Sequence, residues 1–285
     1  MRNTLRSPAA RAALSRARYE VLPTARVEAA VLAHVPASVR LTITASPAKG
    51  LEATFACAER LLGHGYRVTP HLAARMVRDR AHLADLVQQL AGMGVDDVFV
   101  PAGDADPAAG IYHGSLDLLR DLSQLGHPFA DVGITGYPES HPVISDDVTV
   151  QAMWDKREHA TYVVSNLCFD AAQIGRWVDR LRGRGIGLPI LIGMPGPVER
   201  TKLLTMATKI GVGESTRFLA KNASIFARIA APGGYSPARL LEQAAPLFAD
   251  PAMAVTGVHL FTFNQVAETE HWRRSLLGTA VDAAG

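Results

Sequence analysis

Thr135-Gly136-Tyr137-Pro138-Glu139-Ser140-His141-Pro142 places an aromatic ring, a carboxylate and an imidazole in one turn stiffened by two prolines. Proline fixes φ and limits how far neighbouring side chains wander, so such a loop after an apolar run is suited to holding a ligand. Other polar residues fall at the ends of apolar runs: Glu20, Thr44, His71, Gly103-Asp104, Asn166, Asp170 and Thr262-Phe263-Asn264. Histidines and aspartates in such places could carry metal-dependent hydrolysis, but no His-x-His pair follows the first run and no compact ligand set is visible. Each residue also has a plain structural reading. Glu20 could be one half of a buried salt bridge, His71 a hydrogen-bonded wall residue, Asp104 a turn residue, Asp170 a helix N-cap and Lys156 a solvated charge. Their shared location is what singles them out.

The elements that must position them alternate. Strands are expected at Arg18–Leu22, Arg40–Ala45, Arg67–Leu72, Asp97–Pro101, Asp131–Ile134, Thr161–Leu167, Pro189–Ile192 and Gly257–Phe263. Helices are expected at Val27–Val35, Leu51–Leu62, Asp79–Met93, Ser115–Leu125, Asp170–Arg182 and Arg200–Ile210. The connection between the seventh and eighth strands is enlarged, with helices near Ser215–Ala230 and Ser236–Phe248 split by Pro232-Gly233-Gly234. Eight βα units in 285 residues argue for a single-domain TIM (β/α)8 barrel over residues 18–285. A doubly wound open sheet is the alternative. Gly183, Gly185 and Gly187 do not support it, because they follow a helix and precede a strand, the reverse of a dinucleotide-binding turn.

Composition narrows the classes further. With 48% hydrophobic residues the chain can bury a full core, and a formal net charge of +2 offers no basic face for nucleic acid. Cys57 and Cys168 form no Cys-x-x-Cys or Cys/His cluster, so reduced thiols, no structural zinc and a cytoplasmic setting are expected. No apolar run reaches the length of a membrane span. Residues 1–17 form an arginine-rich arm, expected to be mobile or helical.

The turn at 135–142 resembles the Tyr-Pro-Glu-x-His-Pro signature of the methylenetetrahydrofolate reductase family. Tyr19-Glu20-Val21-Leu22-Pro23 is similar to the family's Phe-Glu-Phe-x-Pro opening, Thr69-Pro70-His71-Leu72 to its Pro-His-Leu-Thr segment, and Gly103-Asp104 to its Arg-Gly-Asp loop. Val164-Ser165-Asn166-Leu167-Cys168-Phe169-Asp170 resembles its Thr-Gln-Phe-Phe-Phe-Asp strand, and His259-Leu260-Phe261-Thr262-Phe263-Asn264 its terminal His-Phe-Tyr-Thr-x-Asn. The matches run in order from about residue 18 to about residue 265.

The resemblance implies a reductase of 5,10-methylenetetrahydrofolate with Glu20 as the acid and Asp104 stabilising the developing cation. It also implies Asn166, Asp104, Thr262 and Asn264 on the folate, and Thr44, His71, Gly103, Tyr137, His141 and Lys156 around the cofactor. A carboxyl shielded in a barrel mouth holds its proton toward neutral pH, as the acid must. Departures from the pattern concern FAD. Ala102 replaces the arginine before Gly-Asp, and two further polar positions fall approximately at Thr149 and Ala152. Losing a guanidinium fork removes charge-assisted hydrogen bonds to phosphate or ribityl oxygens. In this the chain resembles flavin-independent members of the family described in mycobacteria. NADH giving its hydride directly, in a ternary complex, is the expectation that follows; a flavin-dependent reductase and a non-catalytic folate-binding partner are the alternatives.

Overall fold

A computed structural model describes residues 4–138, 146–197 and 235–278. Its centre is a sheet of eight parallel strands: β1 (Arg18–Val21), β2 (Leu41–Ile43), β3 (Val68–Pro70), β4 (Asp97–Phe99), β5 (Asp131–Gly136), β6 (Tyr162–Ser165), β7 (Ile190–Pro195) and β8 (Val255–Phe261). The order is β3-β2-β1-β8-β7-β6-β5-β4. The two ends of that order meet where His71 bridges Phe99 in parallel and Leu72 N–H donates to the Phe99 carbonyl at 2.8 Å. The sheet thereby curls into a TIM barrel.

Helices cover it: α1 (Pro8–Ser15), α2 (Val27–His34), α3 (Gly50–Gly63), α4 (Arg80–Gly92), α5 (Ser115–Leu125), α6 (Asp146–Lys156), α7 (Ala171–Gly183), α8 (Pro237–Gln243), α9 (Ala245–Ala249) and α10 (Val266–Leu277). Two of these were not expected. Helix α6 is weakly patterned, with Val148 exposed and Val150 and Met153 buried. Helix α10 is dominated by charge, and Glu270 binds Arg273 and Arg274 one turn on. The single helix expected over Ser236–Phe248 is two, because Pro246 cannot donate to the first one's ladder. The expected helices Arg200–Ile210 and Ser215–Ala230 lie outside the described residues, as does the turn at Pro232.

The arm contains α1, capped by the Ser7 hydroxyl accepting from Ala10 N–H. Ala10, Ala13 and Leu14 are buried, and Arg16 Nη2 donates to the Thr256 carbonyl at 3.2 Å, so the helix covers the start of β8. No helix among the described residues is long and apolar enough to cross a membrane.

Side chains alternate across each strand, which divides the burial in two. Outward residues such as Tyr19, Val21, Leu41, Ile43 and Val258 join the core beneath the helices. Inside the barrel is a small separate cluster of Phe99, Tyr162, Val164 and Leu191. Gly133 makes room for it, since a Cβ there would lie 2.4 Å from the Tyr162 ring. Most of the remaining inward positions are polar, Phe261 beside His259 being an exception.

Candidate active site

Near the start of the strands, Asp97 on β4 is fully buried and accepts from Arg18 Nη1 at 2.7 Å, Thr69 Oγ1 at 3.0 Å and Tyr162 Oη at 2.8 Å. Arg40 also pairs with it. Burial raises the pKa of this carboxyl, and Arg18, Arg40 and the hydroxyl donors Tyr162 and Thr69 oppose the shift. Arg18 further lies 4.5 Å from the centroid of the Tyr162 ring.

Closer to the C-terminal ends the arrangement changes. Glu20 Oε2 lies 3.0 Å from His259 Nε2 and 3.6 Å from His71 Nε2. His259 is 1% exposed and the Glu20 side chain 15%. His71 Nε2, His259 Nδ1 and Thr135 Oγ1 are buried without a hydrogen-bond partner among the described residues. Burial pushes the His71 imidazole down to about 4, with Glu20 opposing the shift and His259 adding to it. It is therefore neutral at pH 7.

The chain holds Glu20 in place from its backbone. Thr262 Oγ1 donates to the Glu20 carbonyl at 2.6 Å. The amide of Asn264 closes on the β1 end: its Oδ1 accepts from Leu22 N–H at 2.8 Å, and Nδ2 donates to the Leu22 carbonyl at 3.0 Å and to Thr24 Oγ1 at 3.1 Å. Phe263 and Asn264 have φ of 50° and 59°, which turns the chain so that this amide faces Leu22. Thr262 and Asn264, both expected on the folate, thus fasten the end of β1, the strand that carries the carboxylate.

The remaining expected residues divide. Thr44 Oγ1 donates weakly to the Val21 carbonyl at 3.3 Å, beside Glu20. Gly103 has φ of 87°, and a Cβ there would lie 2.9 Å from Ala73 Cβ, so this turn needs glycine. Asp104 is exposed in the same loop; burial raises the pKa of the Tyr137 phenol and the charge of Asp104 adds to the shift, as the nearness of the loops after β4 and β5 requires. Asn166 Oδ1 accepts from Leu167 N–H at 2.9 Å, while Nδ2 has no protein partner among the described residues. Asp170 caps α7 by accepting from Ala172 N–H at 2.8 Å and Gln173 N–H at 3.3 Å.

Lys156 stands apart. It sits in the last turn of α6, which runs through Arg157–His159 into the start of β6, the barrel end opposite the mouth. Burial lowers its pKa, with Asp155 opposing the shift. His141 lies outside the described residues. His259 was quoted above only as part of a motif and given no role. Its signal is period two: it shares the inward face of β8 with Phe261, and its ring packs 5.0 Å from that one.

A carboxylate between imidazoles at the C-terminal mouth of a TIM barrel defines an acid–base site of the enzyme type. The profile of the methylenetetrahydrofolate reductase family matches residues 24–271. The chain belongs to that family. It is 28% identical to methylenetetrahydrofolate reductase 2 of Saccharomyces cerevisiae over 102 residues, 33% of this chain and 17% of that protein, so it spans a small part of that relative's length. Among solved structures, a candidate deoxyribose-phosphate aldolase from Toxoplasma gondii matches 96% of this chain and 98% of its own, with a TM-score of 0.50 and 11% identity. Dihydropteroate synthase from Thermus thermophilus aligns at a TM-score of 0.41 and 16% identity, covering 93% and 92% of the two chains. The aldolase match at that identity speaks to the barrel alone.

The family usually binds FAD, and the described residues fit it poorly. Position 102 is alanine, its carbonyl taken by Arg75 N–H at 2.8 Å. The Arg75 guanidinium, which reaches this loop, is committed to the Ala105 carbonyl at 2.6 Å, the His113 carbonyl at 3.3 Å and Asp106 at 3.3 Å. Thr149 is buried, and Lys156 is at the far end of its helix. Among the described residues no group of three or more His, Cys, Asp or Glu could hold a metal ion.

Proposed function

We propose that this protein reduces 5,10-methylenetetrahydrofolate to 5-methyltetrahydrofolate with NADH as direct hydride donor, and that Glu20 is the acid. The observation that carries this is Glu20 itself. In a chain of this family it is a mostly shielded carboxylate at the barrel mouth, held through Oε2 while Oε1 takes no hydrogen bond from any described residue. An acid in that setting can protonate N10 of the folate, which breaks the N10–methylene bond and leaves an electrophilic iminium at N5. The nicotinamide C4 hydride then reduces the methylene carbon to methyl. The proton stays on N10, NAD⁺ leaves, and the Glu20 carboxylate takes a new proton from water. Each turnover consumes one NADH and one proton.

Asp104, exposed in the loop after β4, supplies negative charge near the iminium. Asn166 Nδ2 is available to the pterin edge. With the flavin fit poor, no step passes through FAD; nicotinamide and folate share the cleft lined by Thr44, His71, Gly103 and Tyr137. The test is NADH oxidation by the purified protein with 5,10-methylenetetrahydrofolate, with and without added FAD. Turnover at the same rate in both, from protein carrying no flavin and giving intersecting double-reciprocal lines, is the expected result. Turnover only with FAD, or parallel lines, overturns direct transfer; no turnover in either removes the reductase reading.

A further inference from the structure

A carboxylic acid has two oxygens, and only one of them can deliver its proton to a substrate in the mouth. Oε2 of Glu20 is enclosed by the two imidazoles, His259 Nε2 at 3.0 Å and His71 Nε2 at 3.6 Å. The first distance is a hydrogen bond and the second is outside that range. Oε1 takes no hydrogen bond from any described residue, which leaves it the oxygen open to a substrate. His259 Nδ1 is buried with no acceptor among the described residues, so a proton there would be an unsatisfied donor in a dry place. The tautomer that avoids this carries hydrogen on Nε2, and that hydrogen points at Oε2.

We propose that His259 is a positioning residue: its Nε2–H occupies Oε2 of Glu20, so the proton Glu20 transfers resides on Oε1 and faces the mouth. This rests on the reading of Glu20 as the acid. Thr262 and Asn264 hold the backbone from which the carboxyl projects, one fastening the Glu20 carbonyl and the other that of Leu22. A relay from His259 to bulk water is not part of it, because Nδ1 leads to no partner.

The test compares His259→Leu with His259→Gln, whose side-chain N–H can stand where Nε2–H stood. The expected result is a kcat roughly 10- to 100-fold lower for His259→Leu, the scale of one hydrogen bond to a charged group. KM for both substrates is expected within about twofold of wild type, with most of the lost kcat restored in His259→Gln. An unchanged kcat in His259→Leu overturns the proposal, as does an equal loss in both variants, which would mark a packing role. A second readout needs no turnover. Two-bond ¹⁵N–¹H correlation spectra of the wild-type protein at neutral pH should show His259 as the Nε2–H tautomer, its signal moved by Glu20→Gln; an Nδ1–H tautomer overturns the proposal. If the wild-type protein does not oxidise NADH with the folate, the reductase reading falls by itself, and the tautomer still decides whether Oε2 is occupied.

Discussion

Two polar rings share the inside of this barrel, and they are built on opposite terms. The lower one gathers Arg18, Arg40, Thr69 and Tyr162 around Asp97, with the carboxylate fully buried and both of its oxygens accepting. The upper one sets Glu20 beside His259 and His71, and leaves one nitrogen of each imidazole without a hydrogen-bond partner among the described residues. A buried charge is tolerable when every group around it is satisfied, and costly otherwise. The lower ring is therefore complete as it stands, a clasp joining β1, β3, β4 and β6 where a barrel would otherwise be filled with aliphatic side chains. The upper ring keeps buried polar nitrogens that no described protein group satisfies, the pattern of groups that act on something other than the protein itself.

The largest expected effect falls on the upper ring. Glu20→Gln keeps the shape and a hydrogen-bonding group but cannot supply a proton, so kcat for NADH oxidation should fall by roughly 10²- to 10⁴-fold. Its melting temperature should stay near that of wild type. A variant that turns over normally would show the carboxylate to be one more structural charge and erase the distinction between the rings.

The lower ring should answer in the opposite way. Asp97→Asn leaves Arg18 without its counter-charge and Arg40 with only the exposed Asp96 at 3.8 Å, a loss of about 3 kcal/mol by the usual cost of breaking a buried pair. Chemical denaturation reads it as an earlier midpoint, while kcat per folded molecule should hold. Loss of turnover without loss of stability would move Asp97 into the chemistry.

The sequence made some of this legible and hid the rest for identifiable reasons. Alternating βα segments exposed the barrel, and the strand-end rule drew attention to Glu20 and His71 before any contact was known. The clasp was hidden because its pairing is non-local: Arg18 and Asp97 are 79 residues apart, and each looked like the first polar residue of its own strand. His259 was hidden inside an apolar strand, and only knowing which face of β8 looks inward gives it a role. The bonds of Asn264 to Leu22 were hidden because nothing in its neighbours announces the positive φ values at Phe263 and Asn264 that turn its amide there. The place of Lys156 in the last turn of α6 was hidden because that helix is weakly patterned.

The smallest effect sharpens the comparison most, because it tests whether the upper ring is dry. Burial lowers the His71 pKa in the folded protein to about 4, against 6.5 for an ordinary imidazole. Between those values the unfolded chain binds a proton at this site and the folded one does not, so folding stability rises with pH across the window. Above about pH 6.5 the site contributes no pH dependence; as pH falls toward 4 it costs up to about 3 kcal/mol, by 1.36 kcal/mol per pKa unit. His71→Gln cannot take up that proton. The wild-type protein should therefore lose about 2 kcal/mol more than His71→Gln when urea midpoints at about pH 7.5 and about pH 5 are compared, other titrating groups being common to both. Parallel losses in the two proteins would mean that water reaches His71. In that case the imidazole beside Glu20 is solvated rather than waiting for a ligand, and the upper ring is no less satisfied than the lower.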